Sequence, residues 1–177
     1  MKLDMNNAWL EGVRHHPSAH YDERPKAVEI ELLVIHAISL PPGQFGGPFI
    51  EQLFTHRLNK NEHPYFADIA DLRVSAHLLI RRLGEITQYV SFQQRAWHAG
   101  VSSFAERSRC NDFSIGIELE GCDDVPYTDE QYQQLARVIN ILQQAWPILT
   151  HDRIVGHCDI APGRKTDPGL AFDWGRL

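Results

Sequence analysis

The stretch GHCDIAPGRKTDPG, residues 156–169, places His157, Lys165 and Asp167 among glycines and prolines, where neither a helix nor a strand continues easily. Pro162 and Pro168 each fix φ and remove a backbone donor, so the stretch reads as a loop on a rigid scaffold, a common seat of binding and catalytic groups. A second histidine, His36, lies near the end of the apolar run IELLVIHAI, residues 30–38. Two histidines and a carboxylate, with a fourth position left for water, match the ligand set of a catalytic zinc site. Ligands this far apart in sequence are a weak signal, and either histidine taken singly is more often a hydrogen-bonded structural residue.

Hydrolysis at such a metal requires further groups. Bound zinc lowers the pKa of its water to about 7 and polarises a carbonyl oxygen, but a carboxylate must still take the proton and return it to the departing amine. Glu118 is the candidate, because in SIGIELEG it alternates away from Ile115, Ile117 and Leu119. Its plain alternative is a surface ion pair. Lys165 lies two residues before Asp167, so in an extended segment both project to one side and the ammonium can meet a developing oxyanion. Its alternative is a solvated loop lysine. His77 and His98 stand beside predicted strands and are open to supporting or substrate-facing roles. His15, His16, His20, His56 and His63 are read as surface residues, and Trp97 by default as core. Arg73 and Arg109, near strand starts, read as solvated or as bidentate binders of carboxylates.

The elements that must position these groups follow from periodicity. Residues 30–38 are apolar on both faces, as in a central strand covered on two sides. PPGQFGGP breaks the chain, FIEQLFTHR suits a short amphipathic helix, and NKNEHPYFADIAD reads as a loop. VSAHLLIRR and EITQYVSF flank Leu83-Gly84 as a hairpin, SIGIELEG is a strand, and Gly116 in it leaves open space beside Glu118. A helix over 128–146 begins with a Thr128/Gln131 capping box, buries Tyr132, Leu135, Ile139, Leu142 and Trp146, and stops at Pro147. A short strand, RIVGH, then delivers His157. Strands and helices without strict βαβ alternation predict a mixed α/β fold, a central mixed sheet flanked by helices, in one domain over 1–177.

Composition narrows the classes. With 43% hydrophobic and 23% charged residues the chain suits an ordinary globule, and a formal charge of −6 offers no footprint for nucleic-acid phosphates. No apolar run is long enough for a membrane span, and the first residues lack the apolar core of a secretory signal, so a cytoplasmic monomer without membrane or nucleic-acid partners is expected. The 3 cysteines show no CxxC pair, which argues against disulfide frameworks and structural zinc knuckles.

Taken together, PSAHYDERP, LLVIHAISLPPGQFGGP, LRVSAHLLIRR, RAWHAGVS, RCNDFSIGIELEG and GHCDIAPGRKTDPG resemble the zinc-dependent type 2 N-acetylmuramoyl-L-alanine amidases, relatives of the peptidoglycan recognition proteins, over residues 17–175. The resemblance implies one zinc ion on His36, His157 and Asp167, Glu118 as acid/base and Lys165 as oxyanion stabiliser. It implies cleavage of the amide between the lactyl group of 1,6-anhydro-N-acetylmuramic acid and L-alanine in muropeptides during cell-wall recycling. Where an inducible β-lactamase exists, such cleavage also keeps induction low. Arg73 and Arg109 match positions that contact the anionic ligand, and Trp97 matches an apolar wall near the anhydro-sugar. One departure stands out: Ala37 occupies a position where the family commonly has a peptide-binding asparagine. Three rival readings are a muropeptide-binding module without turnover, a broader amidase of polymeric peptidoglycan, and a non-haem iron oxygenase built on His157-Cys158-Asp159. The last is disfavoured because no histidine follows His157. Loops 41–48, 59–71 and 100–112 are long enough to act as lids.

Overall fold

The computed structural model describes all 177 residues. Its centre is a six-stranded sheet made of β1 (Arg14–His15), β2 (Leu32–Ile38), β3 (Leu78–Ile80), β4 (Ile86–Gln88), β5 (Ser114–Glu120) and β6 (Ile154–Gly156), in the order β6-β2-β5-β3-β4-β1. β2 pairs in parallel with both β5 and β6, β5 pairs in parallel with β3, and β3–β4 is the antiparallel hairpin. Gly84 turns that hairpin at φ +82, a conformation that costs a glycine little.

Strand alternation divides the sheet into two faces. Leu33 and Ile35 of β2, Ile115, Ile117 and Leu119 of β5, and Leu78 and Ile80 of β3 join Tyr132, Leu135, Val138, Ile139 and Leu142 in one buried cluster. The last five belong to the helix Asp129–Ala145, which covers that face. Its capping box is formed as expected: the Gln131 amide donates to Thr128 Oγ1 at 3.2 Å, and the Thr128 amide donates to Gln131 Oε1 at 3.1 Å. Gln131 Nε2 also donates to the carbonyls of Ile80 and Glu120, tying the helix start to the ends of β3 and β5. Trp146 caps the helix half-buried rather than fully enclosed.

The intervening residues of each strand look the other way. Leu32 and Val34 pack with Ala99, Cys110, Phe113 and Ile160, while Leu79 packs with Leu53, Phe54, Phe66 and Tyr89. His36 and Glu118 lie on this second face, at the C-terminal ends of neighbouring central strands. The helix expected after PPGQFGGP is α1 (Phe49–Phe54), which buries Ile50, Leu53 and Phe54.

Several expectations need correcting. The stretch 59–71 is not loop throughout, because Phe66 anchors a short helix α2 (Phe66–Ile69). His157 begins not a loop but one helical turn, His157–Ile160, capped where the Gly156 amide donates to Asp159 Oδ2 at 2.7 Å. The polar N-terminal region contributes strands: Lys2–Asp4 pairs with Trp9–Glu11, β1 adds to the sheet edge, and Tyr21–Glu23 pairs with Gln94–Ala96. His20 is buried, with its ring stacked at 7° on Trp97. The space beside Gly116 is not open: a Cβ there would lie 2.4 Å from Cγ of His98, whose ring fills it.

Candidate active site

Three of the predicted residues converge. His36 Nδ1, His157 Nδ1 and an Asp167 oxygen belong to one His-His-Asp group whose ligand atoms lie within 4.8 Å of one another. His36 Nδ1 is 3.0 Å from both His157 Nδ1 and Asp167 Oδ2, and His157 Nδ1 is 3.1 Å from the same oxygen. β2 and β6 are adjacent parallel strands, so His36 on the one and His157 just beyond the other share a sheet edge. Asp167 reaches them because the 156–169 segment folds back: the Cys158 amide donates to the Asp167 carbonyl at 3.0 Å. Arg164 fastens the same segment to its neighbour by donating to the carbonyls of Ala99 and Val101, each at 2.7 Å.

The ring nitrogens indicate what this group can hold. His157 Nε2–H donates to the Ala99 carbonyl at 3.0 Å, so in its neutral form Nδ1 is a lone pair. That lone pair and the Asp167 carboxylate are both acceptors, and the place between them suits a proton or a metal cation. Burial pushes His36 down to about 4, against opposing help from Asp167, so it is neutral near pH 7. Two imidazoles and one carboxylate fit zinc with a coordination position left over. Burial by itself would raise Asp167, but its close contacts with the His157 and His36 rings outweigh it and hold the carboxyl below the ordinary aspartate range.

Glu118 is the direct neighbour of His36 in the β2–β5 ladder. It is 9% exposed, which removes the surface ion pair as its explanation. Burial first, and the Asp167 carboxylate second, push its carboxyl well above the usual glutamate range, with Lys165 opposing. Its Oε2 has no hydrogen-bond partner in the protein. A buried acid with a free oxygen beside a cleft is poised to exchange a proton with whatever the cleft holds.

The cleft itself, about 360 Å³, is lined by His36, Ala37, Trp97, Glu118, His157, Lys165 and Asp167 together with an apolar wall that includes Leu53, Phe54, Tyr65, Ile69, Leu72 and Val74. Lys165 is exposed at its edge. Arg73 and Arg109 are exposed and do not line the cleft, although Leu72 and Val74 on either side of Arg73 do. Trp97 is half-buried and forms cleft wall instead of core. Its indole nitrogen donates to Asp22 Oδ1 at 3.1 Å, Asp22 pairs with Arg95, Arg95 pairs with Asp112, and Asp112 holds Arg109 at 3.2 Å. An alternating chain of charges thus joins Trp97 to Arg109. Asp22 and His20, which fix the tryptophan, escaped sequence reasoning because their region has no periodic pattern.

Of the remaining histidines, His77 lies under the sheet residues: burial takes it down to about 3, and its Nδ1 accepts from the Gly116 amide at 3.0 Å. Arg24 spans the same region, donating to the carbonyls of Phe92, Asn111, Asp112 and Ser114. These are framework roles that anchor the strands below the site.

A mixed sheet with a His-His-Asp group and an unpartnered glutamate at one cleft has the make-up of a hydrolase, and the chain belongs to the N-acetylmuramoyl-L-alanine amidase family, whose model matches residues 26–170. Among particular relatives, the chain is 62% identical to the 1,6-anhydro-N-acetylmuramyl-L-alanine amidase AmpD of Citrobacter freundii, covering 98% of this chain and 92% of the relative. It is 61% identical to AmpD of Escherichia coli (strain K12), over 98% of this chain and 94% of that protein. A crystal structure of a selenomethionine AmpD derivative superposes with a TM-score of 0.96 at 62% identity, covering 99% of this chain and 97% of that one. The E. coli amidase AmiD, in complex with the substrate anhydro-N-acetylmuramic acid-L-Ala-D-gamma-Glu-L-Lys, is more distant: TM-score 0.62 at 29% identity, covering 87% of this chain and 59% of that one.

Proposed function

We propose that the whole chain, residues 1–177, works as a cytoplasmic, monomeric, zinc-dependent amidase. It cleaves the bond between the lactyl group of 1,6-anhydro-N-acetylmuramic acid and L-alanine of the stem peptide, in peptidoglycan recycling. The carrying observation is the His36, His157 and Asp167 group sharing one cleft with the unpartnered oxygen of Glu118. The names of the relatives at about 60% identity support the choice of amide.

Zinc, when bound by these three side chains, supplies Lewis acidity toward the scissile carbonyl and acidifies a water. Glu118 accepts the proton of the attacking water and delivers it to the departing nitrogen, a shuttle that its raised carboxyl suits. Lys165 places its ammonium near the oxyanion as charge develops. Trp97, fixed by Asp22 and His20, offers a flat apolar wall to the anhydro-sugar, and Arg73 and Arg109, exposed outside the cleft lining, are the candidates for binding carboxylates of the stem peptide. If the source carries an inducible β-lactamase, consumption of these muropeptides holds induction down.

The test is release of stem peptide from 1,6-anhydro-N-acetylmuramyl-tripeptide, followed by chromatography before chelation, after chelation and after return of zinc. Cleavage should vanish and recover, and should be faster than on the counterpart with ordinary muramic acid. Zinc bound at one per chain with no cleavage would identify a binding module instead.

Ala37 gives a second expectation. It lines the cleft but has no polar side-chain atom, so Ala37→Asn should add a hydrogen bond to the bound peptide and lower KM by roughly two- to tenfold with kcat little changed. Steady-state kinetics on the tripeptide substrate decide it, and an unchanged KM would reject it.

A further inference from the structure

His98 faces the outer side of the first metal-ligand histidine. Its Nδ1 is 2.9 Å from His36 Nε2, and its own Nε2 is 3.1 Å from Ser114 Oγ. The two rings meet edge to face at 85°. The ring has one place to go, because it occupies the room left by Gly116, where any Cβ would fall 2.4 Å from its Cγ.

The backbone here is pinned by a single carboxamide. Asn111 Oδ1 accepts from the amides of both His98, at 3.2 Å, and Ala99, at 2.8 Å. Ala99 is the residue whose carbonyl receives the Nε2–H of His157. A two-residue segment therefore backs both histidines of the metal group, one through a side chain and one through a carbonyl.

The carbonyl can only accept, which settles the tautomer of His157. An imidazole can do either, so the His36–His98 pair can run in two directions. With Ser114 donating inward, His98 Nδ1–H points at His36 Nε2, and His36 must carry its proton on Nδ1, the atom needed for a metal. With Ser114 accepting, His98 Nε2–H points at Ser114, its Nδ1 lone pair accepts from His36 Nε2–H, and His36 Nδ1 is free. Only the second direction permits His36 to ligate through Nδ1 beside His157 Nδ1 and Asp167.

We infer that His98 is a positioning residue: with Ser114 as its acceptor and Asn111 holding its backbone, it fixes His36 as the Nε2–H tautomer in the metal-loaded enzyme and thereby sets zinc affinity. The inference rests on the zinc reading of the site. A partner that orients a ligating histidine typically affects metal affinity by about 10- to 100-fold.

The experiment measures zinc affinity by competition with a chromophoric chelator for the wild type, His98→Phe and His98→Asn. Phenylalanine keeps a ring in the pocket but cannot accept a proton, whereas asparagine places Oδ1 about where Nδ1 stood. His98→Phe should bind zinc about 10- to 100-fold more weakly, with His98→Asn recovering most of the loss while metal-free melting temperatures of the folded variants stay close together. Equal affinity in His98→Phe and wild type, or equal weakness in both variants, would overturn the inference and leave the zinc site standing. A wild type that takes up no zinc would instead bring down the functional reading and this inference with it. Should His98→Phe not fold, nitrogen-15 NMR of zinc-loaded wild type gives the answer directly. A coupling across the hydrogen bond between His36 Nε2 and His98 Nδ1 is expected, and ligation of His36 through Nε2 would contradict it.

Discussion

Glu118→Gln should keep one zinc per chain and lose turnover by about 10²- to 10⁴-fold, the range associated with a positioned acid/base. Glutamine preserves the shape of the side chain beside His36 but cannot accept a proton from water or return one to an amine. The loss should appear in kcat and in kcat/KM alike, since the group acts in the transition state more than in binding. Zinc content by atomic absorption and tripeptide release by chromatography make the two readings. Turnover retained in the variant would remove Glu118 from the mechanism.

The same carboxyl makes a stability prediction of opposite sign. Its folded-state pKa is raised above the ordinary value of 4.5, so the folded protein binds a proton there more tightly than the unfolded chain does. Stability from this group is fully present below that ordinary value and is lost as pH climbs through the raised one. The buried histidines, held below their ordinary range, act the other way over part of that interval in both proteins, so the reading is the difference: metal-free wild type should lose stability relative to metal-free Glu118→Gln as pH climbs. Near neutral pH the variant melts higher than the wild type while working far worse, a separation that thermal melts across a pH series can read. A buried charged oxygen without a partner is the cost the fold bears for having a base at that position.

How much of this could be read in the sequence depended on whether a residue's role was set by its own strand or by a distant partner. Ile115, Ile117 and Leu119 against Glu118 alternate with period two, so the faces of that strand were legible, whereas residues 30–38 are apolar on both faces and marked only a central strand with His36 near its end. The Thr128/Gln131 box and the buried stripe marked the long helix for the same local reason. The strands Arg14–His15 and Tyr21–Glu23 are too short to show a period, and they exist because β4 and Gln94–Ala96 offer them ladders to join. Phe66 was hidden similarly: one buried aromatic turns a polar segment into α2.

The site divides along the same line. His36, His157, Asp167, Glu118 and Lys165 could be proposed from residue type and position at strand ends, and all five line the cleft. Gly116 was noticed as space, but a sequence does not say what fills a space, and His98 arrives there from a different strand connection. Asn111 and Ser114 carry no chemistry-bearing signature, and their importance comes only from the amides and the ring they meet. Arg109 and Asp22 are linked through Arg95 and Asp112, contacts between residues as many as 73 positions apart. The ligands are thus more legible than the groups that aim them.

Asp167→Ala should lose the metal and the activity together, which distinguishes a ligand from the acid/base. The carboxylate is the one anionic member of the group, and it stands 3.0 and 3.1 Å from the two ring nitrogens it would share a cation with. Without it two imidazoles remain, too few to close a zinc site of ordinary affinity. Binding to the folded state alone stabilises by about 2.7 kcal/mol when zinc is at 100 times its dissociation constant. For a chain of this length that corresponds to a rise in Tm of about 5 to 11 °C. Wild type and Glu118→Gln should both show this rise on zinc addition, and Asp167→Ala should show almost none at the same concentration. The comparison does not depend on catalysis, so it reports on the ligand set even where substrate chemistry is slow. An Asp167→Ala protein that still gains the full increment would mean that the cation sits elsewhere, and the assignment of His36 and His157 as its partners would fall with it.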